Sequence, residues 1–164
     1  MNIKEIQAKT LVRIVDDDED LRESAEMMLS YAGWKVSTYP DAGSFLTEDS
    51  PSVPGCAVVD IRMPGMSGPE LQAEMLRRSI SLPIIILTGH ANVDLAVMTL
   101  KAGAFDFLQK PVDEIVLLDT ISKACEESLR RSLGVMSIQE LKNRFITLSA
   151  VSYTHLTLPT TPYV

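Results

Sequence analysis

The hydrophobic pattern of the chain alternates between two periodicities. Short apolar runs rich in β-branched residues are separated by longer segments in which apolar residues recur at helical spacing. The first kind of segment predicts strands and the second predicts helices. The predicted strands are 11–15, 35–38, 56–60, 83–88 and 104–108. Two of these runs, CAVVD and PIIIL, are almost continuously apolar, which is typical of strands that are buried on both faces of a sheet.

Three of the intervening segments carry a single apolar stripe. The side chains predicted to be buried are Leu21, Ala25, Met28 and Leu29 in the first segment, Val93, Ala96, Val97 and Leu100 in the second, and Ile115, Leu118, Cys125 and Leu129 in the third. Because strands and helices alternate with short connections, right-handed crossovers give a parallel sheet covered by helices on both faces. The sequence therefore predicts an open, doubly wound α/β domain whose ligand site lies at the carboxyl ends of the strands.

Acidic residues gather at these predicted strand ends. Asp16, Asp17 and Asp18 follow the first strand, and Asp60 ends the third. Such residues commonly cap the next helix, and we predict that Asp18 does so, but capping does not account for Asp60. Carboxylates about 4 Å apart repel by roughly 1 kcal/mol in water and by roughly 4 kcal/mol at an effective dielectric of 20, so the group requires a cation or raised pKa values. Oxygen-only ligands at an open site suit Mg²⁺.

A hydroxyl and a cation follow at the ends of the last two strands. Thr88 ends the fourth strand and Lys110 follows the fifth, although Lys110–Pro111 by itself also fits an ordinary turn. A compact cation and a hydroxyl are the groups needed to neutralise and hydrogen-bond the oxygens of a transferred phosphoryl group. Asp60 is then the candidate nucleophile, because a carboxylate can accept a phosphoryl group as an aspartyl phosphate.

Four segments between about residues 10 and 130 carry a family resemblance: VRIVDDDED, VVDIRMPGMSG, IILTGHA and KAGAFDFLQKP. Together they resemble the receiver domain of two-component response regulators, most closely its FixJ-like branch with a LuxR-type output domain. The resemblance implies a CheY-like (flavodoxin-like) fold, in which a five-stranded parallel sheet has the order 2-1-3-4-5.

The resemblance also implies roles for particular residues. Asp60 is the phosphoacceptor, and Mg²⁺ is held by Asp16, Asp17, Asp60 and the backbone carbonyl of Arg62. Thr88 and Lys110 act on the phosphoryl group. Thr88 and Phe107 form the conformational switch, and the Lys110–Pro111 peptide bond is cis.

Partners follow from the same resemblance. A sensor histidine kinase donates the phosphoryl group, and phosphorylation favours a homodimer through the fourth helix and fifth strand of the repeat. DNA is contacted only through an output domain. The protein is then a phosphorylation switch and not a turnover enzyme.

Composition and charge limit the classes of function. The 164 residues, 46% of them hydrophobic, can form one domain with a buried core. The net charge of −7 argues against binding of a nucleic-acid backbone, which requires clustered Lys and Arg. No apolar run reaches the roughly 18 residues of a membrane span, and no signal peptide is recognisable. We expect a cytoplasmic protein with no membrane partner, in which Cys56 and Cys125 are core residues and not a disulfide.

Four segments are predicted along the chain. Residues 1–10 form an N-terminal extension, 11–130 the receiver domain, and 131–150 a linker whose RFITLSA resembles the approach to a LuxR-type helix-turn-helix domain. The segment VSYTHLTLPT at 151–160 is the translation of a transposase-end adapter used in sequencing libraries. We interpret 151–164 as adapter read-through, so that the natural protein continues into an output domain that is missing here.

Two other classes of function remain open at this stage. A stand-alone receiver would act as a phosphorelay shuttle or a protein-binding module, and only the sequence beyond Ala150 separates it from a transcription regulator. A phosphatase of the haloacid dehalogenase type also uses Asp, Mg²⁺, Thr and Lys. Its DxDx(T/V) signature, however, requires Thr or Val where this chain has Asp20, and the chain has no room for a cap domain.

Overall fold

The computed structural model describes the backbone of residues 1–145 and the side chains of residues 1–134 other than His90. The helices are α1 (Ile3–Lys9), α2 (Glu19–Tyr31), α3 (Ala42–Glu48), α4 (Gly68–Arg77), α5 (Val93–Lys101) and α6 (Glu114–Phe145). The strands are β1 (Leu11–Val15), β2 (Val36–Tyr39), β3 (Gly55–Asp60), β4 (Ile84–Thr88) and β5 (Asp106–Gln109), and a 3-10 turn at His90–Asn92 precedes α5.

Met1–Leu129 form one compact unit, and a second unit begins at Arg130. The backbone of the second unit is helical as far as Phe145. The predicted linker at 131–150 is therefore helical over its described part, and its role as a linker stays a prediction. The interpretation of 151–164 as adapter read-through falls outside the described residues.

The five strands form one parallel sheet in the order β2-β1-β3-β4-β5, which confirms the predicted fold. The register places Val15 beside Val59 and Asp60 beside Leu87. Because the strands run parallel in this register, the ends of β1, β3 and β4 lie level with one another. We call this side of the sheet the carboxyl edge.

Each face of the sheet has its own hydrophobic core, because successive residues of a strand point to opposite faces. Val59 and Ile86 pack with residues of α3, α4 and α5 on one face. Val58 and Ile85 pack with residues of α1, α2 and α6 on the other. Both central strands are buried throughout, as their continuous apolar runs predict.

Two of the predicted helical stripes are partly wrong. Val97 and Ile115 were expected in the core, but Val97 lies at the surface and Ile115 is 78% exposed. In α6 the buried stripe instead runs through Leu117, Ile121, Ala124, Cys125 and Leu129. The cause is helical geometry: α6 turns by about 100° per residue, so Ile115 points to a different side of the helix from the buried Leu117 and Ile121.

The segment predicted as an N-terminal extension contains a short helix, α1. Asn2 caps it by accepting a hydrogen bond from the Glu5 amide, and Ile6 is buried in the core shared with α2 and α6. Gln7 and Lys35 add hydrogen bonds from side chains to backbone carbonyls, one to Ala32 and one to Ala8. A seven-residue helix is marginal in water, so these tertiary contacts stabilise it.

Cys56 and Cys125 are free thiols in the core, as predicted. They come from β3 and α6, and their Sγ atoms lie 3.7 Å apart. This separation is far longer than the roughly 2.05 Å of a disulfide bond.

A buried arginine lies in the middle of β1, within a run that the sequence presented as apolar. The Arg13 side chain is fully buried, and its Nε donates to both carboxylate oxygens of Asp49 at 3.1 Å. Its remaining donors reach main-chain carbonyl oxygens, those of Leu11, Ser50 and Val53. Gly55 leaves space for this network, because a Cβ there would lie 1.8 Å from the Leu11 carbonyl oxygen. The ion pair thus joins β1 to the end of α3 and to the loop that leads into β3.

Tyr39 belongs to the same network and gives it a measurable pH dependence. Its hydroxyl donates to Asp49 Oδ1 at 2.7 Å, and burial together with this carboxylate raises the pKa of Tyr39 from 10.0 to about 12. A raised pKa means that the fold favours the protonated phenol. The resulting stability is present below pH 10 and is lost as the pH rises toward 12.

We expect the wild-type protein to lose about 1 kcal/mol more stability than Tyr39→Phe between pH 8 and pH 11, measured by urea unfolding. Tyr31→Phe is the matched control, because Tyr31 is 95% exposed and its removal should leave the pH dependence of the wild type unchanged. Parallel stability curves for wild type and Tyr39→Phe would contradict the prediction.

Three helices end with the same pair of backbone hydrogen bonds and a residue in the left-handed region. Gly33 after α2 and Gly103 after α5 have φ of 101° and 112°, and Ser79 after α4 has φ of 59°. In each case the residue and its successor donate back to the last turn, as in a Schellman motif. Ser79 therefore occupies a position that favours glycine.

Ser79→Gly is expected to stabilise the protein by about 0.5–1 kcal/mol, because it relieves the left-handed strain of a residue that carries a Cβ. Thermal or urea unfolding measures the gain. Ser24→Gly, at an exposed position within α2, is the control and should destabilise by about 0.5 kcal/mol. If both variants lost stability, the strain assigned to Ser79 would be wrong.

Candidate functional site

The predicted site residues meet at the carboxyl edge. Asp16 directly follows β1, Asp60 ends β3, Thr88 ends β4, and Lys110 directly follows β5. The Lys110 amide donates to the Thr88 carbonyl at 2.7 Å and so ties the last two strands together here. The Lys110–Pro111 peptide bond is cis, as the family resemblance implies.

Three carboxylates converge at this edge. One oxygen from each of Asp16, Asp17 and Asp60 can be chosen so that all three lie within 4.8 Å of one another. Asp18 is not a member of this group and caps α2 by accepting a hydrogen bond from the Leu21 amide, as predicted. The run of three aspartates therefore divides into one helix cap and two members of the cluster.

Asp16 is the most constrained member of the cluster. Its Oδ1 accepts a hydrogen bond from the Asp18 amide at 2.9 Å, whereas the buried Oδ2 has no hydrogen-bond partner among the described residues. Burial raises the pKa of Asp16, and the nearby Asp60 carboxylate adds to the shift, while the Asp18 amide opposes it. A buried carboxylate oxygen without a partner is costly and calls for a cation or a proton.

Lys110 supplies a positive charge to this group. Its Nζ lies 3.1 Å from Asp60 Oδ1 and 3.8 Å from Asp16 Oδ2, with about a third of the side chain exposed. One lysine partly offsets three carboxylates. The cluster therefore keeps a net negative charge and consists of oxygen donors only, a donor set that fits a hard divalent cation such as Mg²⁺.

Thr88 and Phe107 lie on the side of the site that faces α5. The Thr88 side chain is fully buried, and its hydroxyl donates to the Gly89 carbonyl at 3.1 Å. Phe107 lies on β5 beside Ile86 of β4 and packs, partly buried, against the core under α3, α4 and α5. Because Thr88 and Ile86 are two residues apart on β4, Thr88 and Phe107 lie on the face of the sheet that α3, α4 and α5 cover.

The loop after β3 holds the backbone of Asp60 in place. Gly68 opens α4 and donates to the Ile61 carbonyl, and a Cβ at Gly68 would lie 2.9 Å from the Asp60 carbonyl oxygen. Gly68 therefore allows a close approach of two backbone segments. The Arg62 side chain donates from Nε to Asn92 Oδ1 at 2.7 Å.

Arg22 was missed by the sequence analysis. Its Nη1 donates to the main-chain carbonyl of Asp16 at 2.7 Å. An arginine six residues after an aspartate is an ordinary feature of an exposed helix. No sequence signal marked it, because the contact depends on how α2 leaves the end of β1.

Comparison with known proteins agrees with this geometry. Residues 12–122 match the response regulator receiver domain. Nodulation protein W of Bradyrhizobium diazoefficiens is 37% identical over 145 residues, which are 88% of this chain and 64% of that protein. Transcriptional regulatory protein FixJ of Rhizobium meliloti is 38% identical over 138 residues, 84% of this chain and 68% of that protein. The solved structure of the response regulator StyR superposes with a TM-score of 0.80 at 37% identity, covering 92% of this chain and 76% of that chain.

The fold and the site define a class of protein: a doubly wound α/β domain that carries an acidic cluster and a lysine at the carboxyl edge of its sheet. Within that class, the chain belongs to the receiver domains of two-component response regulators, which confirms the resemblance seen in the sequence. The comparisons favour the receiver family over the haloacid dehalogenase type of phosphatase.

The chain spans just under two thirds of Nodulation protein W. Among the described residues, no helix is both long and apolar enough to cross a bilayer.

Proposed function

We propose that this receiver domain accepts a phosphoryl group on Asp60 from a histidine kinase. The observation that carries the proposal is the contact of Asp60 Oδ1 with Lys110 Nζ at 3.1 Å, beside the carboxylates of Asp16 and Asp17. A carboxylate oxygen of Asp60 would attack phosphorus, the bond from phosphorus to the donor imidazole would break, and the imidazole would leave with its electron pair. Asp60 then carries an acyl phosphate.

The charges around Asp60 support this chemistry. The Lys110 ammonium can move from the free carboxylate to the phosphoryl oxygens, and the Thr88 hydroxyl can supply a hydrogen bond if it releases the Gly89 carbonyl. Asp16, Asp17, Asp60 and the Arg62 carbonyl would hold Mg²⁺. When bound, the cation would neutralise charge on the cluster and on the phosphoryl oxygens. The Oδ2 of Asp16, which is buried and has no hydrogen bond among the described residues, supports this assignment.

We further propose that phosphorylation moves α5. Thr88 would turn toward the phosphoryl group, and Phe107 would turn into the space that Thr88 leaves. A change from 1:99 to 99:1 in the two conformations requires about 5.5 kcal/mol of differential interaction, which a few charge-assisted hydrogen bonds and a partner can supply. The surface of α5 and β5 is the proposed homodimer interface; α5 is the fourth helix of the strand–helix repeat, because α1 precedes the repeat.

An apolar cavity beside Lys110 supports the proposal of a protein phosphodonor. It has a volume of about 270 Å³, lies between α2 and the start of α6, and is lined by Leu21, Met28, Pro111 and Val112 among others. Ile115 and Val116, just beyond Val112, are exposed. An apolar side chain of a kinase could fill this cavity while the kinase histidine approaches Asp60.

We also propose that the receiver controls a DNA-binding output domain. FixJ is named as a transcriptional regulatory protein, and the relatives extend beyond the part that this chain matches. This supports a regulator in which the receiver controls a DNA-binding domain. It favours a switch, with one phosphoryl group bound per activation, over a turnover enzyme.

The test is phosphorylation of the full chain by acetyl phosphate with Mg²⁺, followed by intact-mass analysis. We expect one phosphoryl group per chain. Borohydride reduction of the acyl phosphate should then convert residue 60 to homoserine, which peptide mass spectrometry locates. A stable ester elsewhere, or incorporation that does not depend on Mg²⁺, would contradict the proposal.

A further inference from the structure

The hydrogen bond from Arg22 to the main chain just after β1 holds the turn that carries part of the acidic cluster. Arg22 is half-buried in α2, and its guanidinium reaches back to the Asp16 carbonyl at 2.7 Å. Its backbone amide bonds to the Asp18 carbonyl at 3.0 Å, so the same residue contacts the Asp16–Asp18 turn twice. The turn that carries two members of the cluster is thereby fastened to α2.

The polar atoms of Asp16 are held from three directions. Its amide donates to the Tyr39 carbonyl at the end of β2, its carbonyl accepts from Arg22, and its Oδ1 accepts from the Asp18 amide. Oδ2 alone lacks a hydrogen bond among the described residues, and it lies 3.8 Å from Lys110 Nζ. Hydrogen bonds therefore fix the position of Asp16 and leave its Oδ2 available to a ligand.

The orientation of Asp17 depends on how Asp16 is held. The carbonyl of Asp16 and the amide of Asp17 belong to one planar peptide unit, so a donor that fixes the carbonyl also fixes the direction in which the chain enters Asp17. Asp17 is exposed, yet one of its carboxylate oxygens comes within 4.8 Å of oxygens of Asp16 and Asp60. An exposed carboxylate loses conformational freedom when it is held in this way, and the fixed peptide plane reduces that loss.

We propose that Arg22 is a positioning residue for the divalent cation, which acts by orienting the Asp16–Asp17 peptide and hence the Asp17 carboxylate. The inference rests on the proposed function, because it concerns the same acidic cluster. Metal ligands commonly depend on such outer hydrogen bonds, and loss of one typically weakens affinity by about 10- to 100-fold. Arginine suits the position because its planar donor group is preorganised.

Because Arg22 is charged, an experiment can distinguish a positioning role from a purely electrostatic role. A guanidinium beside the cluster repels a divalent cation, so removal of the charge alone would tighten cation binding. Removal of a positioning hydrogen bond would weaken it. The two roles thus predict changes of opposite sign.

The experiment is a titration of the full chain with Mn²⁺, following the electron paramagnetic resonance signal of the free ion. We expect Arg22→Met to bind Mn²⁺ about tenfold more weakly than wild type. Arg22→Gln serves as a second variant that also keeps the helix, in case the Met variant does not fold. Arg77→Met is the control for net charge, because Arg77 lies at the far end of α4 and contacts Glu74; it should leave Mn²⁺ affinity unchanged.

A double-mutant cycle tests the route through Asp17. Asp17→Asn should weaken Mn²⁺ binding, and Arg22→Met should add less than about twofold in that background, because its effect would already be lost. Unchanged or tighter Mn²⁺ binding by Arg22→Met, or full additivity with Asp17→Asn, would overturn the proposal, as would failure of the wild type to bind Mn²⁺. If Asp60 were not phosphorylated but the cycle gave the expected coupling, the proposed function would fail and this inference would stand.

Discussion

Replacing Asp60 by asparagine is expected to reduce phosphoryl incorporation from acetyl phosphate by more than about 10³-fold, because the amide lacks the nucleophilic carboxylate oxygen. Asparagine has nearly the same shape and removes one of three converging negative charges. The variant should therefore stay folded, and the loss can be attributed to chemistry. Intact-mass analysis over a time course with Mg²⁺ measures it.

Asp20→Asn is the matched control for the Asp60 variant. Asp20 lies in the first turn of α2, is exposed, and is not a member of the acidic cluster. Its replacement should leave the rate of incorporation within about twofold of wild type, since exposed charges are well screened. If Asp60→Asn were phosphorylated as fast as the control, a different residue would be the acceptor and the assignment of the site would fail.

Replacing Asp49 by alanine is expected to lower the free energy of unfolding by about 3–5 kcal/mol, the typical cost of leaving one partner of a buried ion pair uncompensated. Arg13 is fully buried and Asp49 nearly so, and Asp49 also accepts the hydroxyl of Tyr39. The variant leaves a guanidinium in the core with only carbonyl partners and removes the partner of a buried phenol. Urea unfolding at neutral pH measures the loss.

Asp119→Ala provides the comparison with an exposed ion pair. Asp119 pairs with Lys123 on the surface of α6, where both side chains are more than half exposed. Its loss should cost under about 1 kcal/mol. Similar losses for Asp49→Ala and Asp119→Ala would show that the buried network contributes little to stability.

Much of the fold could be predicted because strands and helices bury different periodic sets of residues. The runs CAVVD and PIIIL correctly predicted the two central strands, and the order of elements correctly predicted a parallel sheet. The fifth strand was predicted to begin at Ala104 but begins at Asp106. The Ala104 amide instead bonds to the Thr99 carbonyl and closes α5. Apolar residues at such a junction fit either element, and only the hydrogen bonds decide between them.

The helix α1 was missed for a related reason. Its seven residues carry too little periodicity to distinguish a helix from a loop, and Ile6 is buried only because the sheet and α6 form a core beside it. The exposed position of Ile115 was missed because apolar residues fit more than one stripe along α6, and only the packing shows that the buried stripe starts with Leu117 and Ile121. Both errors concern the placement of an element relative to the rest of the molecule.

The residues that meet at the site could be predicted from the sequence alone, because a parallel sheet brings the ends of its strands to one edge whatever the details of packing. Asp16, Asp17, Asp60, Thr88 and Lys110 could therefore be named in advance, and the motifs around them identify the family. Three features were decided only by the tertiary structure: the burial of Asp16 Oδ2 without a hydrogen bond among the described residues, the hydrogen bond from Arg22 to the Asp16 carbonyl, and the buried pair of Arg13 and Asp49. Each depends on how separate segments approach one another, which the periodicity of the sequence does not specify, because a hydrogen bond or a desolvated charge is determined within a few tenths of an ångström.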